Sequence, residues 1–192
     1  DEIISSGMFM AIAIGAGTVT EFKWAFDFID SYSQFLPPVS KDMNLNTSKG
    51  ALYFLKGQQS NLATDYKKCI HFFEAIKTRN ILYNYRKTWI LLQAHYEHFV
   101  LTQNMEIFKY TDNFHVLIGR SKAFTALEKR KLLNTNNTLK YLARYRHYPA
   151  LKLTIAKTKI ARFQAMEQYH LVWVSAKIIE FWTFRFPNIP LE

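Results

Sequence analysis

No charged residue interrupts the first apolar stretch, Ile3 to Thr20, over 18 consecutive positions, and beyond it apolar residues return at helical spacing almost to the C-terminus. Phe22, Ala25, Phe26, Ile29 and Tyr32 recur at steps of three and four or close to it. So do Tyr66, Cys69, Ile70, Phe73 and Ile76, then Trp89, Leu92, Tyr96 and Phe99 with Gln103. Ile160, Phe163, Met166, Leu171, Val174, Ile178 and Phe181 extend the pattern at intervals of three to five. That period puts each set on one face of an α-helix.

Local chemistry sets the expected breaks. The run LPPVS, Leu36 to Ser40, ends the helix that starts at Glu21, because a residue before proline is driven out of the helical region. Lys41 to Lys49 reads as a polar loop, with Thr47 or Ser48 capping a helix that begins at Ala51 and is weakened by Gly57. From Gln58 to Ile118, 61 residues pass without Gly or Pro, which predicts one or two long helices with a junction near Thr78 to Asn80. Thr111-Asp112-Asn113 signals the start of a helix over Phe114 to Leu133. Asn134 to Thr138 reads as a turn with a cap, and Leu139 to Tyr148 as a helix that Pro149 stops. Leu151, Leu153 and Ile155 alternate with Lys152, Thr154 and Ala156, so a short strand competes with helix there. Pro187 and Pro190 make an extended tail.

The expected fold is all-α, with four to six helices, some of them long, and a short N-terminal membrane-embedded helix. Its segments are an apolar and aromatic anchor or packing helix (1–35), a Pro/Ser/Asn loop (36–49), a basic helical body (50–186) and a proline-containing tail (187–192).

The membrane expectation rests on length. A span needs about 20 apolar residues to cross about 30 Å of hydrocarbon, and Ile3 to Thr20 lies at the short end of that range. Ala11 with Gly15 and Ala13 with Gly17 have the four-residue spacing that lets helices approach closely. Phe22 and Trp24 follow where aromatic rings favour the membrane interface. A Gly-rich element of a soluble core is the competing expectation. The acidic flank Asp1-Glu2 argues against a cleavable secretory signal, and Asp in place of Met at residue 1 suggests a processed chain or a fragment.

Composition excludes a disordered chain, since 49% of residues are hydrophobic. The single Cys69 cannot form an intramolecular disulfide, so a reducing compartment suits the fold. The net charge of +10 is unevenly spread: residues 1–30 hold Lys23 against Asp1, Glu2, Glu21, Asp27 and Asp30. If Ile3 to Thr20 spans, the positive-inside tendency puts the basic body on the cytoplasmic or matrix side.

Between Arg120 and Arg162 the cations are Arg120, Lys122, Lys129, Arg130, Lys131, Lys140, Arg144, Arg146, Lys152, Lys157, Lys159 and Arg162, against Glu128 alone. Tyr141, Tyr145 and Tyr148 interleave with them. Such a surface suits an anionic partner: acidic lipid, an acidic subunit face, or RNA whose phosphates meet cations while its bases meet rings.

Catalytic signatures are sparse. His95 and His98 flank Glu97 in an H-x-x-H pattern, and Glu167 to His170 is an E-x-x-H, a pattern that di-iron helical bundles use twice with two further glutamates. Only one such motif is present. Phosphate-loop and nucleophile-turn motifs are absent, and Gly15-Ala16-Gly17 lacks the rest of a dinucleotide fingerprint.

The expected function is therefore a non-catalytic structural subunit of a large membrane-bound complex, of the mitochondrial energy-transducing kind, with the body on the matrix side of the inner membrane. Other protein subunits and membrane lipids are its expected partners, with no cofactor, metal or small-molecule substrate. A soluble, organellar or cytoplasmic RNA-binding helical protein, such as a ribosome-associated subunit, is the alternative, and a metal-dependent helical enzyme the second.

Overall fold

The computed structural model describes residues 4–148 and 150–191. Asp1, Glu2, Ile3, Pro149 and Glu192, which the sequence reading also used, lie outside them. Among the described residues the chain is helical throughout, with no strand, so the short strand at Leu151 to Ala156 is not formed. Among the described residues nine α-helices replace the expected four to six, and they fall into two compact units, 1–103 and 104–192.

In the first unit, α1 (Ser6–Thr18) starts where the Ser5 side chain accepts from the Met8 N–H, 3.2 Å away. It buries Phe9, Ala13 and Gly17, one residue per turn. It stops because Thr20 takes a left-handed backbone, φ 68°, and the N–H groups of Val19 and Thr20 fold back onto Ala16 and Gly17. Its 13 residues reach about 20 Å. No helix among the described residues is long and apolar enough to cross a membrane, so the expected span is corrected, and the orientation inferred from it has no helix to rest on. The apolar run was long enough in sequence, but the turn at Thr20 and the core beside it take up its length.

Helix α2 (Phe22–Tyr32) and a 3-10 turn (Ser33–Phe35) end ahead of Pro37, as the prolines require. Phe9, Ala13, Ala25, Phe28, Ile29, Leu36 and Leu52 form the core against α3 (Lys41–Ser60). Residues 41–49 are thus the first half of a helix and not a loop. Their polar side chains have partners: the Asn44 amide donates to Ser6 Oγ at 2.6 Å and to Ser40 Oγ at 3.1 Å. Thr47 bonds back to the Met43 carbonyl and to the Tyr83 hydroxyl.

Asn61, with φ 54°, turns α3 into α4 (Ala63–Ala75). Gly50 faces the Phe73 ring and Gly57 the Tyr66 ring, where an added Cβ would lie 2.7 and 3.0 Å from ring carbons. Seven residues separate each member of the two pairs, so the helices run antiparallel in close register. Gly57 is a packing position of α3 rather than its weak point. The expected junction near Thr78 is present, before α5 (Ile81–Thr102), whose middle from Leu91 to Glu97 is buried on every side. Cys69 is buried, which pushes its thiol pKa up and keeps it a packing residue.

The second unit holds α6 (Glu106–Arg120), α7 (Ala126–Arg146), α8 (Leu153–Ala165) and α9 (Leu171–Arg185). Thr111 to Asn113 lie inside α6 instead of starting a helix. The true start signal is Thr125 with Glu128, a reciprocal capping box that opens α7. Glu128 accepts from the Thr125 N–H and hydroxyl, both at 2.8 Å, which holds its carboxyl below the usual range. Thr125→Ala is expected to lower the stability of this unit by about 1 kcal/mol, read from thermal unfolding, with faster amide exchange in the first turn of α7. Because the glutamate pKa is depressed in the folded state, the carboxylate's share of the cap is present above its ordinary pKa and lost as pH falls through the lowered value.

Helix α7 runs straight through Asn134 to Thr138, where a turn was expected. The reason is tertiary. Asn136 donates to the Thr111 carbonyl at 2.9 Å. Thr135 bridges the Tyr169 carbonyl and N–H, and Thr138 meets the buried Gln168 amide at 3.1 Å. The first bond ties α7 to α6; the others pin the linker between α8 and α9, which ends at His170 with φ 51°. The tail folds back, with Trp182 Nε1 donating to the Ile189 carbonyl at 2.6 Å.

Candidate functional site

The twelve cations expected to face an anionic partner divide into two groups. Arg146 is internal: its side chain is 8% exposed, its Nη2 lies 3.2 Å from Glu180, and its guanidinium sits 4.3 Å over the Phe184 ring. Arg130 pairs with Glu167 at 2.5 Å and holds that carboxyl below its usual pKa, while Lys140 pairs with Asp112. Lys129 reaches the Gly119 carbonyl at 3.5 Å.

The others remain at the surface, with Lys131 half-buried on α7 and Arg120 and Lys122 exposed at the end of α6 and in the linker after it. Arg144 is exposed on the last turns of α7, and Lys152, Lys157, Lys159 and Arg162 are exposed along α8. Those five make no ion pair among the described residues. Helix α8 buries Ala156, Ile160 and Phe163 at helical spacing, so its cations take the outer positions. No carboxylate lies in the sequence between Glu128 and Glu167.

The end of α7 meets the end of α9 in a corner the sequence did not reveal. Arg185 donates to the carbonyls of Arg146 at 3.5 Å and Tyr148 at 2.8 Å, capping α7. His147 stands edge-on to Phe184 at 5.3 Å, and Tyr145 edge-on to Tyr148 at 5.5 Å. The His147 pKa is lowered by burial and then by Arg146 and Arg185, as a positive local field requires. Tyr148 and Phe184 stay 49% and 48% exposed, so braced rings stand beside free cations. Of this set, the sequence marked the tyrosines, Arg146 and His147; Phe184 and Glu180 were not joined to them because they arrive from α9, more than 30 residues away.

The six packing positions also divide. Ala13 and Gly17 face the core, where an added Cβ at Gly17 would lie 2.4 Å from Leu52. Ala11 and Gly15 face outward, and nothing lies within 4 Å of a Cβ built at Gly15. Phe22 is half-buried against the core, and Trp24 is exposed and stacked on Phe28 at 5.4 Å.

The metal expectation is not supported in its helical form. Glu167 to His170 lie in the linker between α8 and α9, so they do not share a helix face, and Glu167 is engaged by Arg130. Among the described residues no group of three His, Cys, Asp or Glu could hold a metal ion. A cleft of about 110 Å³ between α8, α9 and the tail is lined by Lys157, Ile160, Ala161, Gln164, Trp182 and Leu191. Compared with known protein families, curated proteins and solved structures, the chain matches none. The class that its fold defines is an all-α protein of two helical units.

Proposed function

We propose that the chain is a non-catalytic structural subunit of a larger membrane-bound assembly, one that buries its outer apolar faces against neighbouring subunits. The observation that carries this reading is the amount of large apolar side chain left outside. On the first unit Met8, Val19, Trp24 and Val39 are exposed, and on α9 Val172 is 87% exposed with Ile179 two turns further along the same side. Clustered apolar surface of this kind is what interfaces cover.

The outer side of α1 adds to it. Its hydroxyls are already engaged, Ser5 by the Met8 N–H, Ser6 by Ser40 and Asn44, and Thr18 by the Gly15 carbonyl at 2.6 Å. That face therefore offers an apolar neighbour, lipid or protein, few polar groups to desolvate.

Changing Met8 and Val19 together to Glu tests this, because both side chains point away from the core. The double variant is expected to keep its helicity and unfolding midpoint but to leave the assembly. Native electrophoresis of solubilised membranes would then show it near its own 22.6 kDa instead of within a much larger particle. A double variant that stays with membranes and in the particle refutes the reading.

A further inference from the structure

We propose that the second unit binds single-stranded RNA across the corner where α7 ends and α8 begins, with phosphates held by Arg144 and Lys152 at the corner and by Lys159 and Arg162 along α8, and a base stacked on Tyr148 or Phe184. The inference is independent of the assembly role and concerns a different surface.

Charge complementarity is the first argument. These four cations are exposed and make no ion pair among the described residues, and α8 contains no acidic residue. Among the described residues the carboxylate that reaches the corner is Glu180, held by Arg146 at 3.2 Å and Lys177 at 2.9 Å, with Arg185 capping α7 nearby. Cations thus outnumber it, and the corner's field is positive. Phosphates that enter such a field release the counterions condensed on the strand.

The rings separate RNA from other anions. Tyr148 and Phe184 are each half-exposed, and each is braced edge-on by a second ring, so neither must be ordered when a base arrives. Phe184 already carries the Arg146 guanidinium at 4.3 Å, which leaves a base to complete the stack from the solvent side. An acidic membrane would favour a row of aliphatic side chains between the cations, and α8 exposes one large one, Ile155. An acidic protein face has no need of braced rings.

The test is fluorescence anisotropy of the full chain with a labelled oligouridylate of about 12 nucleotides, within the range one binding surface covers. Binding is expected to weaken with salt, with a slope of log K on log salt of about −3 for about four phosphates neutralised. Tyr148→Ala is expected to weaken binding about tenfold, and Arg144→Ala with Lys152→Ala to make the slope shallower by about one. All three substitutions are at exposed positions, and an unchanged unfolding midpoint verifies the fold.

A salt-independent signal overturns the proposal. So does unchanged affinity for Tyr148→Ala, which would mark a general polycation, and so does tighter binding to phosphatidylglycerol vesicles than to the oligonucleotide, which would make the surface a lipid site.

Discussion

Glu180→Ala is expected to lower the stability of the second unit by about 3 kcal/mol, the low end of what breaking a buried ion pair costs. A guanidinium does not relieve its burial by losing a proton, as an ammonium or imidazolium can. The Arg146 side chain is 8% exposed, and among the described residues its Nε and Nη1 have no hydrogen-bond partner even with Glu180 in place. Removing the carboxylate leaves that cation buried, close to Lys177 and Arg185, with only the Phe184 face for compensation. Glu180 is itself 35% exposed, so water can reach part of the gap, which keeps the loss from the upper end of the range. The pair Arg146→Met with Glu180→Leu should recover most of the stability, since two apolar side chains leave no charge to compensate. Urea unfolding of the single and double variants measures both. A single variant within about 0.5 kcal/mol of the parent would mean that the pair is not buried in solution.

Gly17→Leu should be nearly as damaging, at about 3 kcal/mol, while Gly15→Leu, two residues away in the same helix, should cost nothing. The first places a branched side chain where even a Cβ would lie 2.4 Å from Leu52 and 3.2 Å from Leu55, and Leu52 is fully buried. The second meets open space and replaces a poor helix former with a good one. Thermal unfolding followed by circular dichroism separates the two. If the outer side of α1 is covered by a neighbour, Gly15→Leu should still weaken assembly while leaving the midpoint unchanged. Equal midpoints for both variants would show that α1 does not pack through Gly17.

Much of this fold is written along the chain. The helical period of Tyr66 to Phe73 and of Ile160 to Phe163 reappears as buried faces of α4 and α8, and that of Phe22 to Tyr32 in part, through Ala25 and Ile29, with Tyr32 exposed. The stop before Pro37 and the junction near Thr78 were legible because proline geometry and short polar side chains act within a few residues. So was the restart after Ser60 and Asn61. The breaks at Gln103 and His170 were not. Neither is glycine, yet each has a positive φ, and nothing in the neighbouring residues demands one. The candidate site was half legible. The surplus of cations between Arg120 and Arg162 could be counted, but not that Arg146 turns inward to Glu180, or that Phe184 comes to stand beside His147.

The sequence by itself determined that this protein is helical, where its apolar faces lie, and that its second half carries a surplus of positive charge, because periodicity and composition are local sums. The tertiary structure decided where the helices end and which cations are free. Asn136 and Thr138 could have capped a turn of their own. They lie inside α7 because the Thr111 carbonyl and Gln168 offer them partners from 25 and 30 residues away. For a polar side chain the near and distant hydrogen bonds are of similar strength, so the choice falls to whichever lets more apolar surface be buried, and that depends on the whole fold.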